Sequence, residues 1–272
     1  MKILIILLLA CLPATLSAQT YEELFDQANA CVARDSLRQA EKLLVKALEQ
    51  EPKNSKNVIL FANLGLVRRQ LGEYEKAAES YSLALNMAPE SVPILLGRAA
   101  LYMDMGKTDA AYADYCQVID EDKNNKEALQ TRAYIYVTRR DYPTARNDYN
   151  HLLELDPQNY SGRLGLATLN QKEGKYRESL DILNKMIAEM PRDAILYVAR
   201  ASVERDMKHD ELALIDLEEA TRLDASLSDA YLLRGDIYLD QKKKALAKAD
   251  YQKTIELGVP PAELYERLKM CR

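Results

Sequence analysis

Apolar and small residues recur along this chain with a period of 34 residues. Successive copies of the pattern start 34 residues apart, except for a first step of 37 that contains the extra residues 55–57. The seven copies span 21–54, 58–91, 92–125, 126–159, 160–193, 194–227 and 228–261. A fixed period of this length indicates stacked supersecondary units that share a continuous core, and not a globule around one centre.

Each copy contains two amphipathic helices. The eighth position is small in every copy: Ala28, Gly65, Ala99, Ala133, Ala167, Ala201 and Gly235. The twentieth position is also small in every copy: Ala40, Ala77, Ala111, Ala145, Ser179, Ala213 and Ala247. Short side chains let two helices approach closely, so these columns predict where the two helices cross. Large residues at the twenty-fourth position and mostly apolar ones at the twenty-eighth complete the buried stripe of the second helix.

The ends of the predicted helices carry turn residues. Gly72, Gly106 and Gly174 fall between the two helices of their copies, and Pro52, Pro89, Pro157 and Pro191 follow the second helix. Glycine ends helices and proline cannot continue them. Each copy is therefore predicted to be helix, turn, helix, turn.

In length and in its columns of small and large residues, the repeat resembles the tetratricopeptide repeat over residues 21–261. The resemblance implies an all-α fold, a right-handed solenoid of seven helix-turn-helix repeats. Residues 262–272 then predict a capping helix that covers the last repeat, with Tyr265 and Leu268 facing inward.

Residues 1–18 have the pattern of a signal peptide. Lys2 precedes an apolar run from Ile3 to Ala10, and Ala18 supplies the small residue before a cleavage site at Gln19. The alternative is a lipoprotein signal, in which Leu8-Leu9-Ala10 precede a lipid-bearing Cys11. Either way we expect export to a bacterial envelope, as a periplasmic or secreted protein without a transmembrane segment after cleavage.

Two further columns pair charges within four of the seven copies. Wherever the seventh position is arginine, the twenty-third is aspartate, and neither residue type occurs at these positions in the other three copies. Because positions 8 and 20 cross, positions 7 and 23 lie close together on the two helices. The predicted ion pairs are Arg98–Asp114, Arg132–Asp148, Arg200–Asp216 and Arg234–Asp250. We interpret them as structural pairs and not as charged binding sites, because breaking a half-buried pair is costly.

Composition offers little to catalysis. His151 and His209 are the only histidines and fall on different parts of the repeat, so no metal site is predicted. The sequence contains neither a glycine-rich phosphate loop nor a nucleophile elbow, and we predict no catalytic residues and no cofactor. The net charge of −5 with mixed signs disfavours nucleic-acid binding. Two alternatives remain for the function: a lipid-anchored assembly factor of the envelope, which would require lipidation of Cys11, and, from another class, an enzyme that uses the repeats as the wall of its active site.

Binding of a protein or extended peptide is the function that the resemblance implies. In the tetratricopeptide family, positions 2, 5, 9, 12 and 13 of the first helices line a groove. Carried over, the apolar part contains Ile59, Ala62, Leu66, Arg69, Leu96, Ala100, Met103, Gln130, Tyr134, Val137 and Thr138. The acidic part contains Asp206, Asp229, Asp236 and Asp240. A ligand with apolar anchors toward the N-terminal half and basic residues toward the C-terminal half would fit, although the same residues are compatible with a groove that has no single ligand.

One specialised form of the family does not fit. Chaperone-binding members hold a carboxylate with lysine at position 5 and asparagine at position 9. Position 5 contains no lysine here, and Asn29 is the only asparagine at position 9. We therefore expect a non-enzymatic scaffold that recognises its partner by other means.

Overall fold

The computed structural model describes residues 19–272, so the predicted signal peptide lies outside the described residues. This part of the chain contains fifteen α-helices, one short 3-10 turn and no strand, which confirms the predicted all-α fold. The helices are α1 Tyr21–Ala33, α2 Leu37–Gln50, α3 Asn57–Gln70, α4 Tyr74–Met87, α5 Val92–Asp104, α6 Thr108–Glu121, α7 Lys126–Thr138, α8 Tyr142–Leu155, α9 Tyr160–Lys172, α10 Tyr176–Glu189, α11 Ala194–Asp206, α12 Asp210–Leu223, α13 Ser228–Asp240, α14 Lys244–Glu256 and α15 Tyr265–Met270. None of them is long and apolar enough to span a membrane.

The described part of the chain divides into two compact units, one that ends at Glu121 and one that spans residues 122–272. Repeats 1–3, with helices α1–α6, belong to the first unit, and repeats 4–7 with α7–α15 belong to the second. Within each unit the two helices of a repeat pack on each other, and the second helix packs against the first helix of the next repeat. Each unit is therefore a stack of helical hairpins.

The small columns lie at the helix crossings. The five alanines of the eighth position are at most 1% exposed, and the seven residues of the twentieth position are 0% exposed. A methyl group added to Gly65 would lie 2.9 Å from the Tyr81 ring, which is closer than packed carbon atoms come. The glycine there lets an aromatic residue of the second helix reach the first.

The turn between the helices has the same backbone geometry in all seven repeats. Its fifteenth residue is left-handed: Asp35, Gly72, Gly106, Arg140, Gly174, Lys208 and Lys242 all have a φ between 57° and 75°. The amide of the next residue donates to the carbonyl five residues earlier at 2.8–2.9 Å in every repeat, which is the hydrogen bond of a Schellman cap. The sequence predicted three of these turns from glycine, and the other four adopt the same conformation with a side chain present.

The structure brings together the four arginine–aspartate pairs. In each pair the arginine Nε and one terminal nitrogen donate to the two carboxylate oxygens at 2.7–2.9 Å. The aspartates are only 4–6% exposed. Hydrogen bonding to the aspartate raises the pKa of Arg98, Arg200 and Arg234. Each arginine also lies over a tyrosine ring, 5.3–5.9 Å from its centroid.

Repeats 2 and 5, which lack these pairs, use another arginine. Arg68 of repeat 2 donates to Ser80 of its own repeat and to Glu41 of repeat 1, both at 2.9 Å. Arg146 of repeat 4 bonds Asn170 of repeat 5 at 2.7 Å and forms an ion pair with Glu173. Both arginines therefore join a repeat to its neighbour, and sequence reasoning did not identify them.

The C-terminal cap differs in register from the prediction. It begins with a 3-10 turn, Pro261–Leu264, before α15. Leu264 is 1% exposed and packs with Ala247 and Tyr251, whereas Tyr265 is 58% exposed. The prediction that Tyr265 faces inward is wrong, because the tighter 3-10 turn moves the inward position to the preceding residue. Leu268 packs against the same buried cluster.

Candidate functional site

A pocket opens on the first-helix face of the second unit. In this unit the first helices of the four repeats contact one another in the order α7, α9, α11 and α13. Their outer faces together form one surface, the first-helix face. The pocket lies on α7 and α9 and has a volume of about 400 Å³. Its lining residues are all uncharged: Gln130, Thr131, Tyr134, Val137, Tyr149, Ser161, Leu164, Gly165 and Thr168. Ligand pockets in proteins are typically of this size and have mostly apolar walls with a few polar groups.

The floor of the pocket depends on a contact between Tyr149 and Gly165. Tyr149 comes from the second helix of repeat 4 and is 4% exposed. Its hydroxyl lies against Gly165 of repeat 5, where an added methyl group would be 2.6 Å from the oxygen. Gly165 therefore allows the phenol to reach the first-helix face.

The Tyr149 hydroxyl lies at an uncharged site. Burial raises the pKa of Tyr149 to about 12, so the phenol stays neutral at physiological pH. The described residues provide no hydrogen-bond partner for this hydroxyl, which lies against Gly165 in the lining of the pocket. The Tyr149 hydroxyl can therefore donate a hydrogen bond to a group that enters the pocket, or accept one from it.

Three of the predicted groove residues, Gln130, Tyr134 and Val137, line this pocket. Tyr134 is 55% exposed and forms part of the rim. Thr138 is exposed at the end of α7 and does not line the pocket. Sequence reasoning missed the Tyr149–Gly165 floor. A glycine at the sixth position of repeat 5, following a tyrosine at position 24 of repeat 4, was the available signal.

The four predicted acidic residues lie toward the C-terminal end of the same unit, where most of them already have partners within the chain. Gln171 donates to Asp206 at 2.7 Å, and Arg205 donates to Asp240 at 2.9 Å. Asp236 accepts from Tyr251 at 2.9 Å and from Arg267 of α15 at 2.8 Å, while Asp229 is exposed. The chain's own arginines thus neutralise much of the acidic surface that the sequence assigned to a basic ligand.

In the first unit the predicted groove residues lie on α3 and α5. Ile59 and Leu66 are 50% and 39% exposed, and the other apolar members, Ala62, Leu96, Ala100 and Met103, are half-buried. Arg69 is not free to meet a ligand, because its Nε donates to Asp104 at 2.6 Å. The predicted groove residues of this unit are therefore apolar apart from Arg69, whose charge is paired within the chain.

The described residues hold no group of three His, Cys, Asp or Glu that could bind a metal. His151 lies 3.1 Å from the Asn124 side chain, and His209 lies 2.7 Å from Glu204. Among the described residues, no disulfide joins Cys31, Cys116 and Cys271.

Comparison with known proteins identifies the repeat. Two family models described as tetratricopeptide repeat match the chain, one at residues 25–92 and 131–194 and the other at 92–125 and 228–257. A crystal structure of a tetratricopeptide repeat protein from Parabacteroides merdae ATCC 43184 is 35% identical, with a TM-score of 0.86, and the match covers 92% of this chain and 98% of that one. The fold is also similar to that of YrrB, described as a TPR protein with an unusual peptide-binding site, at 17% identity and a TM-score of 0.55 over 69% of this chain and 95% of that one.

Curated relatives are more distant and much longer. The Hsp70-Hsp90 organizing protein of Triticum aestivum is 23% identical over 236 residues, 73% of this chain and 41% of that protein. The human protein O-mannosyl-transferase TMTC3 is 23% identical over 252 residues, 78% of this chain and 27% of that protein. The chain thus spans less than half the length of these two relatives. The match to both family models and the 35% identity over nearly the whole chain lead to one conclusion: this chain belongs to the tetratricopeptide repeat family.

Proposed function

We propose that this protein is a non-enzymatic scaffold that binds an extended segment of a partner protein on the first-helix face of its second unit. The observation that carries the proposal is the uncharged pocket of about 400 Å³ on α7 and α9. Tetratricopeptide repeats are generally protein-interaction modules, which supports the same reading. The wheat relative is named as an organiser of two chaperones, and YrrB as a peptide binder.

The physical advantage of such a surface is that it is formed before the partner arrives. The small residues of the helix crossings, the Schellman caps and the buried ion pairs fix the helices of each repeat. A partner segment then loses its own conformational freedom on binding but does not have to order its receptor. An exposed aromatic residue such as Tyr134 beside an apolar pocket is the usual composition of an interface anchor.

A pair of substitutions on opposite faces tests the proposal. Tyr134→Asp places a charge at the rim of the pocket, and Ile215→Asp places the same charge on α12, outside the first-helix face, where Ile215 is 61% exposed. Proteins captured from envelope extracts by residues 19–272 would be purified and their affinity measured directly. We expect Tyr134→Asp to weaken binding at least tenfold and Ile215→Asp to leave it unchanged, since a buried interface charge without a partner costs more than 1.4 kcal/mol. Equal affinities for the two variants would contradict the proposal.

We further propose that the protein is exported to a bacterial envelope, because residues 1–18 have the pattern of a signal peptide. Mass spectrometry of the mature N-terminus tests this. A chain that begins at Gln19 supports simple secretion, and a chain that begins at a palmitate-labelled Cys11 supports the lipoprotein alternative. Recovery of Met1 in the mature protein would contradict export by either route.

A further inference from the structure

We propose that the pocket on α7 and α9 is specific for a tyrosine side chain of the bound segment, whose phenol exchanges a hydrogen bond with the Tyr149 hydroxyl. This inference rests on the proposed function, since it names the anchor residue of the partner. Three properties of the pocket lead to it: its uncharged lining, its aromatic walls and its unpartnered hydroxyl.

The lining disfavours a charged anchor. None of its nine residues is an aspartate, glutamate, lysine, arginine or histidine. A lysine, arginine, aspartate or glutamate side chain that entered would lose water and gain no opposite charge, which is strongly unfavourable. The occupant is therefore neutral.

The walls favour an aromatic ring. Tyr134, Val137 and Leu164 line the pocket, and the Tyr149 ring forms its floor against Gly165, which has no side chain. An entering ring gains edge or offset contacts with these rings in addition to the burial of its own apolar surface. The volume of about 400 Å³ is ample for one such side chain.

The hydroxyl distinguishes tyrosine from phenylalanine. Tyr149 is only 4% exposed and lines the cavity, its oxygen lies against Gly165, another lining residue, and the described residues give this oxygen no hydrogen bond. A phenylalanine ring would exclude water from this oxygen without replacing it, and an unsatisfied buried hydroxyl is unfavourable. A second phenol both donates and accepts, so it can satisfy Tyr149 in either direction. Gln130, Thr131 and Ser161 also line the pocket and offer polar side chains to the bound segment.

The experiment uses three blocked amino acids as probes: N-acetyl-tyrosine amide and its phenylalanine and alanine counterparts. Their binding to residues 19–272 would be followed by NMR of methyl groups, with Val137 and Leu164 as reporters in the pocket and Ile215 as a remote control. We expect the tyrosine probe to shift the two pocket reporters and the alanine probe to shift neither. The phenylalanine probe should bind about three- to tenfold more weakly than the tyrosine probe, which is the effect of one neutral hydrogen bond.

Tyr149→Phe is the decisive variant, because it removes the hydroxyl and keeps the ring against Gly165. In this variant the tyrosine and phenylalanine probes should bind equally. Gly165→Ala should abolish binding of both, and its circular dichroism spectrum would show whether the repeats remain folded. Equal binding of the two aromatic probes to the wild type, an unchanged preference in Tyr149→Phe, or no shift of Val137 and Leu164 with any probe would each overturn the inference.

This failure is distinct from failure of the proposed function. If the probes do not discriminate but Tyr134→Asp still weakens partner binding, the face binds a segment with a different anchor. If Tyr134→Asp has no effect on partner binding while the tyrosine probe still binds the pocket, the pocket recognises a phenol but the partner uses another surface.

Discussion

Repeats 5 and 6 are consecutive in the second unit and fold into the same helical hairpin with different interactions. Repeat 6 holds the Arg200–Asp216 pair, and Arg200 also donates to Asn184 of repeat 5 at 2.7 Å. Repeat 5 has Leu166 and Ile182 at the same two positions, both packed against buried clusters. Within repeat 5 the Ser179 hydroxyl donates to the Ala167 carbonyl at 2.7 Å and Arg163 pairs with Glu189, and Arg146 of repeat 4 adds a link from outside to Asn170 and Glu173. The comparison indicates that the arginine–aspartate pair is not needed to form a hairpin. What the two repeats share is an arginine that bridges to a neighbouring repeat.

The largest effect should follow from breaking the pair in repeat 6. Asp216→Ala leaves Arg200 without its carboxylate in a site where the aspartate is 5% exposed. We expect the free energy of unfolding, measured by urea denaturation, to fall by about 3 kcal/mol. The matched control is the double variant Arg200→Leu with Asp216→Ile, which gives repeat 6 the residues of repeat 5.

The double variant should lie within about 1 kcal/mol of the wild type, because replacing a buried ion pair by apolar residues of similar volume is often neutral. If the double variant is as unstable as Asp216→Ala, the apolar residues of repeat 5 cannot replace the ion pair in repeat 6. In that case the comparison between the two repeats would fail.

A smaller loss should follow from removing the arginine that serves repeat 5. Arg146→Ala deletes a hydrogen bond to Asn170, which is 4% exposed, and the ion pair with Glu173. Because the Arg146 side chain itself is 28% exposed, we expect a loss of about 1.5 kcal/mol by the same denaturation. Arg177→Ala, on the exposed face of α10, is the control and should change stability by less than about 0.5 kcal/mol. Similar losses in both variants would mean that Arg146 does not link the repeats.

The difference between these repeats also marks what the sequence can reveal. The crossing columns, the helix pairs and the four arginine–aspartate pairs recur at fixed positions, so seven copies reinforce one another. Arg68 and Arg146 each link their repeat to a neighbouring repeat. They occupy different positions of the repeat and have different partners, so no column of the repeat contains them. The Tyr149–Gly165 floor occurs across a repeat boundary and depends on how closely two helices approach, which the residue pattern alone does not give.

The turn residues illustrate the same point through the backbone. Glycine predicts a left-handed residue, and three turns were predicted in this way. Lys208 is equally left-handed, with a φ of 65°, because the Schellman cap of its repeat holds it there. A non-glycine residue in this conformation is strained. Its residue type therefore gives no signal that the position is left-handed.

The turns of repeats 5 and 6, which have Gly174 and Lys208 at the left-handed position, provide a third test of the comparison. Gly174→Ala puts a side chain on a residue with a φ of 75°, and we expect a loss of about 1 kcal/mol in unfolding free energy. Lys208→Gly relieves the corresponding strain in repeat 6 but gives the unfolded chain more freedom. The gain should therefore be only about 0.5 kcal/mol. A loss on Lys208→Gly would show that the lysine side chain contributes interactions that outweigh the strain.

The smallest effect concerns the acid response of repeat 5, where Glu173 accepts the bond from Arg146. Its pKa is lowered from 4.5, mainly by the hydrogen bond from Lys175 and further by Arg146, although burial opposes the shift. A carboxyl group whose pKa is lower in the folded state stabilises the fold above its unfolded value, and this contribution disappears as the pH falls through the folded value. The stability difference between the wild type and Glu173→Gln should therefore be constant at neutral pH and shrink below about pH 4.5.

Urea denaturation at a series of pH values measures this difference, and subtracting the two curves removes the titration of the other carboxylates. Repeat 6 has Met207 at the equivalent position, so Met207→Gln is the matched control and its difference from the wild type should not vary with pH. A Glu173→Gln difference that stays constant into acid would mean that the charge of Glu173, which pairs with Lys175 and Arg146, contributes no stability to repeat 5.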